Sequence, residues 1–159
     1  MKLISKIYIK ILAALMAFLG FSSTILSCGG EYGTPSAIYK AKGVVVSETD
    51  DTPIRGIRAV LSEKHKYNQE EKFYGIGSSL TNSSGNFSVE GDSFPHSKKI
   101  LYVELIDIDG EENGLFANKL VEADFTNVKL KGGNGRWYEG KAEINLSTIK
   151  MTPEENNTP

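Results

Sequence analysis

The run Tyr138-Glu139-Gly140-Lys141-Ala142-Glu143-Ile144-Asn145-Leu146 alternates small or apolar residues with charged or polar ones. A period of two is that of a β-strand with one face in a core and the other in solvent. No other run in the chain is as regular, and no segment after residue 28 has apolar residues at the helical spacing of about 3.6. This stretch therefore predicts an all-β protein.

Six further short runs of β type precede it and are separated by turn signals. They are 39–47, 56–63, 72–81, 87–90, 100–107 and 119–131. Gly75 and Gly77 in the third run indicate a bulge or a close backbone approach. The charged stretch 63–72 is interpreted as a hairpin loop. Seven short strands with regular turns predict a seven-stranded β-sandwich, either prealbumin-like or Ig-like.

The N-terminus has the features of an export signal. Three lysines (Lys2, Lys6 and Lys10) precede an apolar stretch over residues 11–26, which is too short for a membrane-spanning helix. The stretch ends in Ile25-Leu26-Ser27-Cys28, followed by Gly29, and resembles a bacterial lipobox. We therefore expect residues 1–27 to be a signal peptide and Cys28 to be the lipid attachment site of an exported, membrane-anchored lipoprotein.

The rest of the expected organisation follows from composition. Residues 28–38 are turn-rich and are interpreted as a lipidated tether, 39–147 as the sandwich domain and 148–159 as a disordered tail. Cys28 is the only cysteine, so the fold must be stable without an intramolecular disulfide. The mildly acidic composition disfavours nucleic-acid partners and an anionic-membrane surface. Gly29 favours the outer membrane, on either its periplasmic face or the cell surface.

Two resemblances add to these patterns. The runs that carry the first are Gly43-Val44-Val45-Val46, Thr52-Pro53-Ile54-Arg55-Gly56-Ile57-Arg58-Ala59-Val60 and Thr81-Asn82-Ser83-Ser84-Gly85-Asn86-Phe87-Ser88-Val89. They resemble the carboxypeptidase regulatory-like, transthyretin-type sandwich, which implies a binding and spacing module without catalytic residues. Gly56 is expected to permit a tight turn, and Gly85 a positive φ ahead of a core Phe87.

The second resemblance rests on the segment after the cysteine and on an acidic run. Cys28 with Glu31-Tyr32-Gly33-Thr34-Pro35-Ser36-Ala37, together with Asp107-Ile108-Asp109-Gly110-Glu111-Glu112-Asn113-Gly114, looks like Bacteroidetes lipoproteins encoded beside a radical SAM enzyme. This resemblance implies such an enzyme as a partner, either beside the lipoprotein or acting on it. An accessory role in an outer-membrane transport or glycan complex is a further alternative.

The acidic run also supplies the strongest candidate site. Residues with side-chain oxygens fall at every second position of this run, and its glycines allow a folded loop. Such oxygens are the hard ligands that Ca²⁺ binds. The residues are Asp107, Asp109, Glu111 and Asn113. The alternative is a solvated turn in which Asp and Gly serve turn geometry. No nucleophile elbow, zinc motif or phosphate-binding loop is present, so we expect no enzyme activity and no cofactor other than this calcium. The protein or glycan ligand stays open.

Overall fold

The computed structural model describes residue 10 and residues 33–154. Eight strands and one short 3-10 helix make up the described part. In chain order they are β1 (Ser36–Ser47), β2 (Arg58–Tyr67), β3 (Glu70–Leu80), β4 (Asn86–Ser93), β5 (Ile100–Ile106), η1 (Gly110–Asn113), β6 (Lys119–Asp124), β7 (Lys131–Gly132) and β8 (Tyr138–Met151). The predicted all-β class is confirmed, with eight strands instead of seven.

The strands form two four-stranded sheets. Sheet A has the order β4-β1-β8-β7, and sheet B the order β3-β2-β5-β6. All pairings are antiparallel except that of β1 with β8, which run parallel although they are the first and last long strands. The two sheets face each other across one apolar core, which makes the domain a β-sandwich.

The core is built from the inward positions that alternation predicts. Leu101, Val103 and Leu105 on β5 are fully buried, and so are Ala59 and Leu61 on β2. Sheet A contributes mainly the residues Tyr39, Ala41, Val45, Phe87, Val89, Ala142 and Met151. All of the buried apolar residues of the described chain lie between residues 37 and 151.

One edge of the sandwich is closed by backbone contact between the sheets. A Cβ on Gly77 of β3 would lie 2.0 Å from the carbonyl oxygen of Glu90 on β4, and one on Gly91 would lie 2.6 Å from that of Ile76. The ladder of β2 and β3 also shifts register between Leu61 and Ser62. The predicted bulge and close approach at this strand are therefore both confirmed.

Three predicted boundaries are wrong. The sandwich begins at Ser36, not at residue 39, because Ala37 is already fully buried opposite β4. The stretch 63–72 is strand on both sides of a two-residue turn, Asn68-Gln69, in which both residues have positive φ. Such turns match the twist of a hairpin, but the usual second-position glycine is absent here.

The third boundary concerns the predicted tail from residue 148. Strand β8 continues to Met151, which is fully buried, and Pro153 bridges to Phe116. Ser147 has a φ of 58°, and the register with β1 shifts beside it. This irregularity moves the inward positions by one residue, so that alternation breaks after Leu146 and resumes at Ile149. Residues 155–159 lie outside the described part.

Candidate functional site

Four segments meet at one end of the sandwich, which we call the acidic end. They are the β1–β2 connection (48–57), the β3–β4 turn (81–85), the β5–β6 connection (107–118) and the C-terminal segment (152–154). Together they hold eight acidic residues and a single basic one, Arg55. The acidic run predicted as a site therefore lies among other acidic segments.

Asp107 organises the β5–β6 connection from within. Its Oδ1 accepts the backbone N–H groups of Asp109 and Gly110 at 3.3 and 3.2 Å, and its Oδ2 accepts that of Phe116 at 2.8 Å. A carboxylate that accepts several backbone N–H groups fixes a turn, as Asp commonly does. Asp107 thus uses both of its oxygens to shape the loop.

Asp109 and Asn113 are the two predicted residues whose side chains are hydrogen-bonded to each other. Asn113 Nδ2 donates to Asp109 Oδ2 across the single turn of η1. A Cβ on Gly56 would lie only 2.2 Å from the same Oδ2, so the glycine lets the carboxylate rest against the β1–β2 connection. Asp109 Oδ1 is buried and has no hydrogen-bond partner among the described residues. Buried polar atoms are normally paired.

The predicted calcium ligands are in contact only in part. Within residues 33–154, no group of three or more His, Cys, Asp or Glu side chains is arranged to hold a metal ion. Asp107 accepts backbone N–H groups, and Asp109 contacts Asn113. The turn interpretation accounts for the described geometry, and calcium binding stays a prediction.

An open cleft of about 720 Å³ runs across this end beside Asp109. Its walls combine polar and charged groups with two exposed apolar side chains; they include Arg55, Asn82, Asp109, Asn113, Leu80 and Ile108. Clefts with a few converging polar groups among apolar ones are the usual form of a ligand site. The acidic end therefore has the shape of a binding site for a polar ligand with some apolar surface.

A second cluster joins the two sheets near the other end. Lys99, just before β5, places Nζ 2.5 Å from Glu63 Oε1 on β2, and Ser93 Oγ of β4 donates to the same oxygen. Lys99 Nζ also lies 5.5 Å from the centre of the Tyr39 ring, a cation–π distance. Burial alone would raise the pKa of Glu63, but hydrogen bonds from Lys99, Ser93 and His65 hold that pKa at about 2.

Sequence patterns gave no sign of this cluster. Glu63, Ser93 and Lys99 come from separate segments, 30 and 36 residues apart from Glu63. Lone charged residues in β runs are normally solvated, and only the sheet pairing brings these together. The cluster is a structural cross-link, since it ties both sheets to the β4–β5 connection. A search for motifs within one segment does not detect such a contact.

The cysteine, the tyrosine near it and the two histidines are placed as follows. Cys28 and Tyr32 lie outside the described residues. His65 is an exposed residue of β2 whose Nε2 lies 3.0 Å from Glu63 Oε2, and His96 lies in the exposed β4–β5 connection. Neither histidine belongs to a group of three or more possible metal ligands in the described part of the chain. No helix of the described residues is long and apolar enough to cross a membrane.

No protein-family model matches the sequence, and comparison with curated proteins finds no match. Among solved structures, a 9R-lipoxygenase from Cyanothece is 17% identical over 77% of this chain and 18% of its own, with a TM-score of 0.39. The pilus 2b backbone protein of group B streptococcus is 10% identical over 72% of this chain and 40% of its own (TM-score 0.42).

The C-terminal domain of the shaft pilin SpaA from Lactobacillus rhamnosus GG is 10% identical over 74% of this chain and 98% of its own (TM-score 0.37). This chain thus spans less than half of the first two proteins. None of the three is described as a lipoprotein or as part of a radical SAM system, so that resemblance stays a prediction.

Proposed function

We propose that this chain is an exported lipoprotein of the cell envelope, held in the outer membrane through Cys28. The lipobox-like run at 25–28 carries this proposal, because it follows an apolar export segment and contains the only cysteine of the chain. The start of the fold supports this proposal: β1 begins at Ser36, eight residues after Cys28, and the buried apolar residues of the described chain begin at Ala37.

The folded part of this lipoprotein acts as a non-enzymatic binding or structural module. Support comes from the position of the cleft beside Asp109. Strand β1 starts at one end of the sandwich, and the cleft lies at the other, where β1 ends and β2 begins. A lipid anchor at residue 28 would therefore present the cleft away from the membrane, where a soluble ligand or a partner protein can reach it.

Substitution Cys28→Ser tests the anchor directly. We expect the wild-type protein to sediment with membranes and to incorporate labelled palmitate in growing cells, and the variant to do neither. Ser27→Ala serves as the control, since a small residue before the cysteine is retained and anchoring should persist. Unchanged fractionation of the Cys28→Ser protein would contradict the proposal.

The alternative role, as a substrate of a radical SAM enzyme, is tested on the same native protein. Intact-mass measurement of the mature chain gives the expected mass of polypeptide plus lipid if the module is unmodified. An additional mass located in the peptide that contains Tyr32 or Asp109 would favour the substrate role.

A further inference from the structure

The end of the sandwich opposite the cleft, which we call the basic end, has the reverse charge. It comprises the β2–β3 turn (68–69), the β4–β5 connection (94–99) and the segment 125–137 that contains β7. These segments hold no acidic residue, and their basic residues are Lys98, Lys99, Lys129, Lys131 and Arg136. Asp124 and Glu139 flank the third segment, so the basic residues outnumber the acidic ones here by a smaller margin than the segments alone give. The nearly balanced total charge of the chain therefore conceals an uneven distribution of charge between the two ends.

Four of these five cations are exposed and form no salt bridge with a described residue. Lys99 is the exception, because it is bound to Glu63. The strand ends beside the β2–β3 turn add Lys66 and Lys72, which are balanced by Glu70 and Glu71. The excess of positive charge at this end thus comes from segments 94–99 and 125–137.

Exposed aromatic side chains gather at the same end. Three of the four large, strongly exposed aromatic residues of the described chain lie in or beside its segments, namely Tyr67, Phe94 and Trp137; the fourth, Tyr74, lies inside β3. Tyr67 flanks the β2–β3 turn with 67% of its surface exposed, and Trp137 precedes β8 with 43% exposed. Trp and Tyr combine an apolar body with a polar edge, which suits them to the boundary between lipid and water.

The chain also enters the fold here, since β1 starts at this end and pairs with the first residue of β8. The eight residues from Cys28 to Ser36 span at most about 26–29 Å when fully extended. Strand β8 has 14 residues and runs to the acidic end, roughly 45 Å away at about 3.3 Å per residue. That separation is several times the screening length of about 8–10 Å, so the acidic end does not cancel the attraction of an anionic surface.

We infer that the basic end is a docking surface for an anionic lipid bilayer, in which Tyr67, Phe94 and Trp137 contact the headgroup region and Lys98, Lys129 and Arg136 neutralise lipid phosphates. This inference deepens the proposed lipoprotein function, because one lipid anchor combined with a basic patch holds a protein more firmly than either alone. It also fixes the orientation of the domain, with the cleft turned outward.

The test uses the mature polypeptide 29–159 without lipid, which contains the whole core and is first checked for a cooperative melt. Vesicles are of phosphatidylcholine alone, or of phosphatidylcholine and phosphatidylglycerol in equal amounts. We expect co-sedimentation with the anionic vesicles only, reversal by added salt, and a blue shift in the fluorescence of Trp137, the only tryptophan of the chain. Because no anchor is present, the result is independent of the Cys28→Ser experiment.

Two triple variants with the same change in net charge locate the surface. Replacing Lys98, Lys129 and Arg136 by Gln should weaken partitioning about a hundredfold, since each charge near an anionic surface contributes roughly a factor of five. Replacing Lys42, Lys119 and Lys150, which lie outside the basic end, should change partitioning less than about threefold, because salt screens charges that lie far from the lipid. Equal losses in both variants, or binding to heparin without binding to vesicles, would overturn the inference.

Discussion

The ion pair between Glu63 and Lys99 makes a definite prediction about acid stability. Its side chains are 22% and 13% exposed, so the pair is largely removed from water. Hydrogen bonds to Glu63 lower its pKa from the usual 4.5 to about 2, against the effect of burial. A depressed carboxyl pKa stabilises the folded state above pH 4.5, and this contribution is lost as the pH falls toward 2.

The size of the effect follows from that shift. A change of about 2.5 pKa units corresponds to about 3.4 kcal/mol at 1.36 kcal/mol per unit. Solvent reaches part of the side chain and screens the pair, so we expect about 2–3 kcal/mol of unfolding free energy from Glu63 at pH 7. Substitution Glu63→Gln keeps the shape and an acceptor oxygen but removes the charge.

Urea denaturation of the domain at several pH values between 7 and 2 measures this directly. The Glu63→Gln variant should be less stable by about 2–3 kcal/mol at pH 7, and the two stability curves should converge by pH 2. Glu143→Gln, which breaks the exposed pair with Lys42, is the matched control and should show no comparable gap. A gap below about 0.5 kcal/mol at pH 7, or one that persists unchanged at pH 2, would refute the argument.

Three further expectations concern the core, the closed edge and the acidic end. Phe87→Ala should cost about 3–5 kcal/mol in urea denaturation because the ring is buried, and a loss under about 1 kcal/mol would place it outside the core. Gly77→Ala should destabilise by about 1–3 kcal/mol, since its Cβ would collide with the Glu90 carbonyl, and an unchanged melt would contradict the close approach. If the acidic run binds Ca²⁺ with a dissociation constant near 10⁻⁴–10⁻³ M, tenfold excess should add about 1.4 kcal/mol to stability. Asp109→Ala should remove that gain, and superimposable melts with chelator and with calcium would show that the run is only a turn.

Alternation was enough to predict the fold class and most core positions. Spacing alone predicted that Leu101, Val103 and Leu105 are buried, because a period of two places one face of a strand toward the core. The pattern failed where the backbone departs from a regular strand. Beside Ser147 a positive φ shifts the phase, and at Asn68-Gln69 a tight turn occurs without its usual glycine. Neither conformation is encoded by hydrophobicity.

The candidate site was predicted only in part. The acidic run does lie at a cleft, but its spacing did not predict that Asp107 accepts backbone N–H groups of its own loop. The separation of charge between the two ends could not be read from the total charge of the chain. It depends on which connections share an end, and the directions of the paired strands determine that.

The parallel pairing of β1 with β8 has a consequence for the order in which the domain can fold. Lys42 and Glu143, which pair across these strands, are 101 residues apart. Contacts of such long range form late, because the intervening chain must first lose its freedom. A chain leaves a ribosome or a translocation pore with its N-terminus first. One edge of β1 therefore has no partner strand until β8, the last strand, has also emerged. The protein would therefore remain unfolded during passage and close into its native state only when β8 arrives.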